Sequence, residues 1–256
     1  MKLPYQHPMT VAAHRGDSYT CYENTMEAFQ KAVAVGSDMV ETDVRMTKDG
    51  YLVLHHDSTF KRTAADVRAV REMTLEEVLQ INVGSEFHPL PVPTLEEFLA
   101  WATPIEGLML NIELKEYFEP GNEERCKECT DKVIALVRQY GLENRIVLNS
   151  FDAWVLQYIA ETYDHSFMLH GFYPYEGMMR VDKNPDEYLY CACIWGEVKN
   201  KAHYDYLLER GIEPWVGASF TSTEELDMAC RYGAVLVTTN FPADTIERLK
   251  GLGKRV

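Results

Sequence analysis

Three histidines, an arginine, a lysine and four carboxylates recur at short spacings in the first half of this 256-residue chain. They lie in His14-Arg15-Gly16, Glu41-Thr42-Asp43, His55-His56-Asp57 and Asn111-Ile112-Glu113-Leu114-Lys115. This is the equipment of a metal-assisted acid/base site. Opening a phosphate ester requires a cation against the phosphoryl oxygens, one group that takes a proton and another that gives one to the leaving alcohol. Glu, Asp and His supply all three.

Strand periodicity explains how such residues come to face one point. Residues 39–44 read as a strand, so Glu41 and Asp43 share one face while Val40, Thr42 and Val44 take the other. Two hard oxygen donors on one face suit Mg²⁺ or Ca²⁺. In residues 108–115, Leu108, Leu110, Ile112 and Leu114 form an apolar row, and Asn111, Glu113 and Lys115 a polar one. Either strand alone fits a charged face turned to water. Two of them beside a His-Arg-Gly tripeptide favour a site.

The elements around these motifs alternate. Strands are predicted at residues 11–13, 39–44, 108–115, 146–150, 167–172, 191–195, 215–220 and 235–239. Helices are predicted at 24–35 and 123–140, ended by Gly36 and Gly141, and from near Asp152, Asn200, Ser222 and Ala243. Thr74, Thr94 and Ser222 each stand three residues before a glutamate, as a capping box requires. Lys48-Asp49-Gly50 signals a turn before the apolar run 51–54. Eight strands with interleaved helices in about 250 residues fit a (β/α)8 TIM barrel as a single domain over residues 1–256, with a doubly wound open sheet as the other architecture. In such a barrel the site lies at the C-terminal ends of the strands, where His14, Arg15, Glu41, Asp43, Glu113 and Lys115 fall.

Composition, at 46% hydrophobic and 25% charged, is that of a globular enzyme. The first eight residues hold no apolar signal core and no stretch approaches a membrane span, so the expectation is a cytoplasmic protein without a stable membrane anchor. A formal net charge of -15 argues against nucleic acid as a partner. A small anionic substrate still binds where Arg15, Lys115 and a metal make the pocket locally positive. Cys126-Lys127-Glu128-Cys129 has metal-like spacing but no second pair to complete it, and free thiols are expected. The oligomeric state is not legible.

Taken in order, His14-Arg15-Gly16, Glu23-Asn24-Thr25, Glu41-Thr42-Asp43-Val44, Thr47-Lys48-Asp49-Gly50, His56-Asp57, Arg62-Thr63, Pro93-Thr94-Leu95-Glu96-Glu97 and Ile112-Glu113-Leu114-Lys115 resemble the glycerophosphodiester phosphodiesterase family. The resemblance is specific over residues 10–115 and weaker through Ser150-Phe151-Asp152 and beyond. It implies a TIM barrel and metal-dependent hydrolysis of glycerophosphodiesters to sn-glycerol 3-phosphate and an alcohol. It further implies His14 and His56 as the acid/base pair, Glu41, Asp43 and Glu113 as ligands of Mg²⁺ or Ca²⁺, and Arg15 and Lys115 as phosphate contacts. His56 is the histidine that precedes aspartate. Its neighbour His55, on the opposite face of a strand, is expected to be packed behind the site or exposed. Of the remaining histidines only His170 stands where it could reach a pocket, and Trp195 and Trp215 could form an apolar wall.

The last quarter departs from the family's pattern. Many relatives carry Trp-Thr-Val-Asn and Thr-Asp-x-Pro where this chain has Gly217-Ala218-Ser219-Phe220 and Thr239-Asn240-Phe241-Pro242. That predicts a wider and less negative leaving-group side, with Gly217 and Asn240 at its rim. Two other functions share these residues: a lysophospholipase D or sphingomyelinase D-like phosphodiesterase, which needs an apolar rim for acyl chains, and a noncatalytic metal-phosphate binding protein.

Overall fold

A computed structural model describes residues 2–218 and 222–255. Nine short strands, nearly all buried along their length, organise it: β1 (Thr10–Ala13), β2 (Met39–Met46), β3 (Leu52–Leu54), β4 (Met109–Leu114), β5 (Ile146–Asn149), β6 (Met168–Tyr173), β7 (Cys191–Ile194), β8 (Glu213–Val216) and β9 (Leu236–Thr239). Eight of them pair in parallel in the order β1-β9-β8-β7-β6-β5-β4-β2, and β1 pairs back onto β2. The ring closes, as the expected (β/α)8 barrel requires, and the open-sheet alternative falls away. Among the described residues no helix is long and apolar enough to cross a membrane.

Register sets the level of each functional side chain. β2 and β4 run side by side with Glu41 opposite Asn111 and Asp43 opposite Glu113. β5 and β6 carry the row onward, Glu113 opposite Asn149 and Asn149 opposite His170. β3 is the one antiparallel strand of the set: it folds back on the end of β2, with Val44 against Leu54. Two consequences differ from the sequence reading. β2 continues to Met46 because β3 supplies partners past the barrel's end. His55 and His56 sit in the loop that leaves β3 rather than on a strand.

The strand expected at 215–220 instead spans Glu213–Val216, and residues 219–220 lie outside those described. Glu213 and Pro214 look unlike strand residues, yet the Glu213 carboxylate accepts from the hydroxyls of Tyr5 and Tyr190, and the Pro214 carbonyl from the Val235 amide. Side-chain pairing and a used carbonyl offset poor local propensity. Helix starts follow their caps. Thr25 Oγ1 accepts from the Ala28 amide, Asp152 and Asn200 cap the helices that follow them, and Thr74 and Ser222 form complete capping boxes. At Thr94 the bond formed is that from the Glu97 amide to Oγ1. Cys126 and Cys129 are buried in the helix Glu123–Gln139, and all six cysteines are free thiols.

The main core lies between strands and helices, from Val11 and Phe29 round to Trp215 and Leu249. A smaller core of Val53, Phe60, Val70, Met73, Val78, Ile81, Val83 and Val92 underlies the segment joining β3 to β4. It gives the His56 loop a rigid base. The turn after β1 is held by backbone conformation. Arg15 has φ 57° and Gly16 φ 80°, and a Cβ on Gly16 would lie 2.6 Å from the Ala28 carbonyl carbon. Gly16→Ala is therefore expected to destabilise the fold by about 2 kcal/mol or more. Thermal unfolding would show a fall in Tm of about 4–8 °C, and an unchanged Tm would contradict the tight packing of this turn.

Candidate active site

A cavity of about 660 Å³ opens at the C-terminal ends of the barrel strands. His14, Arg15, Glu41, His56, Glu113 and Lys115 line one side of it. Asp43, the seventh residue expected, is wholly buried against Arg15 and Lys115. Glu41, Asp43 and Glu113 bring one oxygen each to within 4.8 Å of one another.

Charge balance governs this side. Lys115 Nζ lies 2.5 Å from Glu113 Oε1 and 3.2 Å from Asp43 Oδ1, and Arg15 Nε lies 3.3 Å from Asp43 Oδ2. Burial would raise the pKa of Asp43, but Lys115 and Arg15 outweigh it and hold the carboxyl below its ordinary value. At Glu41, burial and the neighbouring charges of Asp43 and Glu113 act together and push the carboxyl well above its usual range. Glu113 is raised too, chiefly by burial. One Glu41 oxygen accepts the Arg15 amide at 2.8 Å, whereas its buried Oε1 has no hydrogen-bond partner in the protein. Three hard oxygen donors, crowded, buried and short of positive charge, fit a divalent cation.

Neighbours fix these groups in place. Asn24, in the left-handed region at φ 54°, donates from Nδ2 to Asp43 Oδ2 at 2.8 Å and accepts the Thr42 hydroxyl at 2.8 Å. Glu23 spans Arg15, at 3.0 Å, and Arg62, at 2.7 Å, and Arg62 reaches Asp57 at 2.8 Å. Burial would raise the Asp57 pKa, but the bonds from Arg62 and His56 hold it far below a normal carboxylate. Arg45 donates to the His56 and Lys115 carbonyls, tying the two sides of the rim. These motif residues carry no readable role in sequence, because a positioning contact shows only when strands are in register.

His14 and His56 each have one ring nitrogen engaged. His14 Nδ1 lies 2.6 Å from Asn240 Oδ1, and His56 Nδ1 lies 2.6 Å from Asp57 Oδ1. An amide oxygen and a carboxylate only accept, so in each ring Nδ1 carries the hydrogen and Nε2 is left for chemistry. Burial first, then the charge of Arg15, lowers the His14 pKa below its ordinary value. His55 turns away as expected: its Nε2 donates to the Thr59 carbonyl at 3.1 Å and its ring packs on Phe60.

The rest of the cavity lining is neutral. Phe151 stacks on Phe172 at 3.6 Å, and Trp195, 55% exposed, meets Phe151 edge-on at 5.4 Å. Asn111, Asn149 and His170 line its deeper part, which supports the attention given to His170 in the sequence. Two expectations need correction and a third holds in part. Asn240 does not line the cavity; its side chain holds His14. Trp215 is wholly buried core against His170 and forms no pocket wall. Gly217 does line the cavity, but a Cβ there would approach Cys193 Sγ to 3.3 Å, so the room it opens is bounded.

The profile of the Glycerophosphoryl diester phosphodiesterase family matches residues 14–243. A glycerophosphodiester phosphodiesterase of Caldanaerobacter subterraneus subsp. tengcongensis is 35% identical over 161 residues, 60% of this chain and 63% of that protein. The matched region spans between 57% and 63% of the length of the first curated relatives. A crystal structure from Silicibacter pomeroyi DSS-3 shares the fold at TM-score 0.83 and 23% identity, covering 98% of this chain and 96% of that one. An Oleispira antarctica phosphodiesterase, solved in complex with the product sn-glycerol-3-phosphate, shares it at TM-score 0.76 and 20% identity, covering 94% of this chain and 96% of its own.

The Asn240 contact makes a spectroscopic prediction. Neutral His14 gains its proton only as pH falls through its lowered pKa. Asn240→Asp puts a carboxylate on Nδ1, favours the imidazolium and is expected to move that midpoint upward by about one to three pH units. NMR titration of the ring reads it, and an unmoved midpoint would contradict the contact.

Proposed function

Since this chain belongs to the glycerophosphoryl diester phosphodiesterase family, we propose that it is a single-domain, metal-dependent phosphodiesterase that hydrolyses glycerophosphodiesters to sn-glycerol 3-phosphate and an alcohol. The observation that carries this reading is the meeting at one cavity mouth of three carboxylates within 4.8 Å, two cations and two singly engaged histidines. The product bound by the Oleispira antarctica phosphodiesterase fits a cavity of this make-up.

Glu41, Asp43 and Glu113 would hold Mg²⁺ or Ca²⁺, which when bound neutralises phosphoryl oxygen charge. Arg15 and Lys115 flank the same carboxylates and would orient the phosphate through charge-assisted hydrogen bonds. Lys115 is suited to it: burial would lower its pKa, but Glu113 and Asp43 more than restore it and keep the ammonium charged. His14, neutral with Nε2 as an acceptor, takes the proton of the attacking hydroxyl. His56, entering with a hydrogen on each ring nitrogen, gives the one on Nε2 to the departing alcohol oxygen while Asp57 holds Nδ1, and solvent then takes the proton from His14 and restores that of His56. The attacking group is water, or the glycerol's own adjacent hydroxyl, which would pass through a cyclic phosphate. The exposed Trp195 in the cavity wall favours, as a second reading, a lysophospholipid whose chain lies against it.

Purified protein assayed on glycerophosphocholine, glycerophosphoethanolamine and lysophosphatidylcholine, with release of sn-glycerol 3-phosphate from the first two and of acylglycerol 3-phosphate from the third as the readouts, separates these readings. His14→Ala and His56→Ala should each lower kcat by about 10²- to 10⁴-fold with the fold intact. His55→Ala should lower it far less, and excess chelator should abolish turnover. Equal losses at His55 and His56, or full activity in chelator, would overturn the assignment.

A further inference from the structure

Deep in the neutral half of the cavity, three side chains leave polar atoms without a partner in the protein: Asn111 Oδ1, Asn149 Oδ1 and His170 Nε2. All three residues are at least nine-tenths buried, at 1%, 3% and 3% exposure. Buried polar atoms are ordinarily bonded, so three together on one cavity wall are exceptional. They lie in order: Asn149 stands level with Glu113 on the neighbouring strand, His170 level with Asn149, and Asn111 level with Glu41. Asn149 and His170 continue the level of Asp43 and Glu113, while Asn111 lies on the level of Glu41, within the strands that carry the carboxylates.

The chemistry of the row follows from its hydrogen bonds. Asn111 Nδ2 lies 3.2 Å from His170 Nδ1, and an amide NH₂ only donates, so Nδ1 accepts and the ring hydrogen sits on Nε2. Burial, which lowers the His170 pKa to about 3, keeps the ring neutral. The three unpartnered atoms of the wall are therefore one donor and two acceptors, and none is charged. A cationic group would find no carboxylate beyond the metal cluster on this wall, and an anionic one no cation beyond Arg15 and Lys115. A hydroxyl donates and accepts from one atom and matches both kinds of partner. Phe151 and Phe172 beside the row suit the carbon chain that bears the hydroxyls.

We propose that Asn111, Asn149 and His170 form a subsite for the hydroxyl groups of an uncharged, hydroxylated carbon chain attached to the phosphate held at the cavity's charged side. This rests on the phosphodiesterase reading only for the phosphate; the subsite stands on its own polar atoms. Such a chain has two sources in a glycerophosphodiester: the glycerol half common to all of them, or a polyol as the departing alcohol.

The test uses the whole protein with Mg²⁺ and the variants Asn149→Leu and His170→Phe, which keep side-chain size and remove the polar atoms. Calorimetric titration compares sn-glycerol 3-phosphate with methyl phosphate, which lacks hydroxyls. Kinetics compare glycerophosphoglycerol with glycerophosphocholine. The wild type is expected to favour the hydroxylated member of at least one pair by about tenfold or more, and each variant to bring that ratio towards one while the affinity for methyl phosphate holds. Collapse of the binding ratio places the glycerol half in the subsite; collapse of the kinetic ratio places the departing polyol there. Ratios that survive in a folded variant, or a loss shared by every ligand, overturn the proposal. If one variant fails to fold, the other carries the test. A wild type that hydrolyses neither diester yet keeps the binding ratio sinks the phosphodiesterase reading and supports the subsite.

Discussion

Like charges held together away from water dominate this barrel's mouth. Glu41, Asp43 and Glu113 converge within 4.8 Å in nearly complete burial, an arrangement that repels itself strongly unless cations lie close. Lys115 bridges Asp43 and Glu113, and Arg15 meets Asp43 from the other flank. Glu41, the carboxylate farthest from compensation, is the one pushed furthest towards its neutral form. The protein's own cations thus settle Asp43 and leave Glu41 in deficit. A divalent ion would remove that deficit, and the barrel register, which aligns Asp43 with Glu113, sets the spacing it would meet.

The rest of the rim is arranged around that balance. Ion pairs run from His56 through Asp57, Arg62, Glu23 and Arg15 to Asp43, so the loop after β3 and the turn after β1 are tied to one network. The two histidines enter it differently. His56 rests on a carboxylate and His14 on an amide. Across from them the wall carries aromatic rings and neutral polar atoms. The charged groups and the neutral polar atoms occupy different parts of the cavity lining.

Much of this was legible because its signals are local. Period-two alternation put Glu41 with Asp43, and Asn111 with Glu113 and Lys115, on the faces they occupy. Caps and glycines marked helix ends. The misplaced features depend on contacts distant in sequence. Asn240 meets His14 across 226 residues, and β1 pairing with β9 brings them together. Trp215 was read as a possible wall because an aromatic near a strand end can face either way, and only the closed ring shows it packed against His170. β8 began two residues early because tyrosines from other segments hold Glu213. Asn149 gave no sign at all: a lone asparagine on a buried strand has no motif, and its meaning lies in its register with Glu113 and His170.

Diffraction from crystals soaked in Mn²⁺ tests the central claim most directly. An anomalous peak within about 2.0–2.6 Å of oxygens from Glu41, Asp43 and Glu113 is the result this account predicts. A cavity mouth without such a peak, with Lys115 still bridging the carboxylates at saturating Mn²⁺, would contradict it.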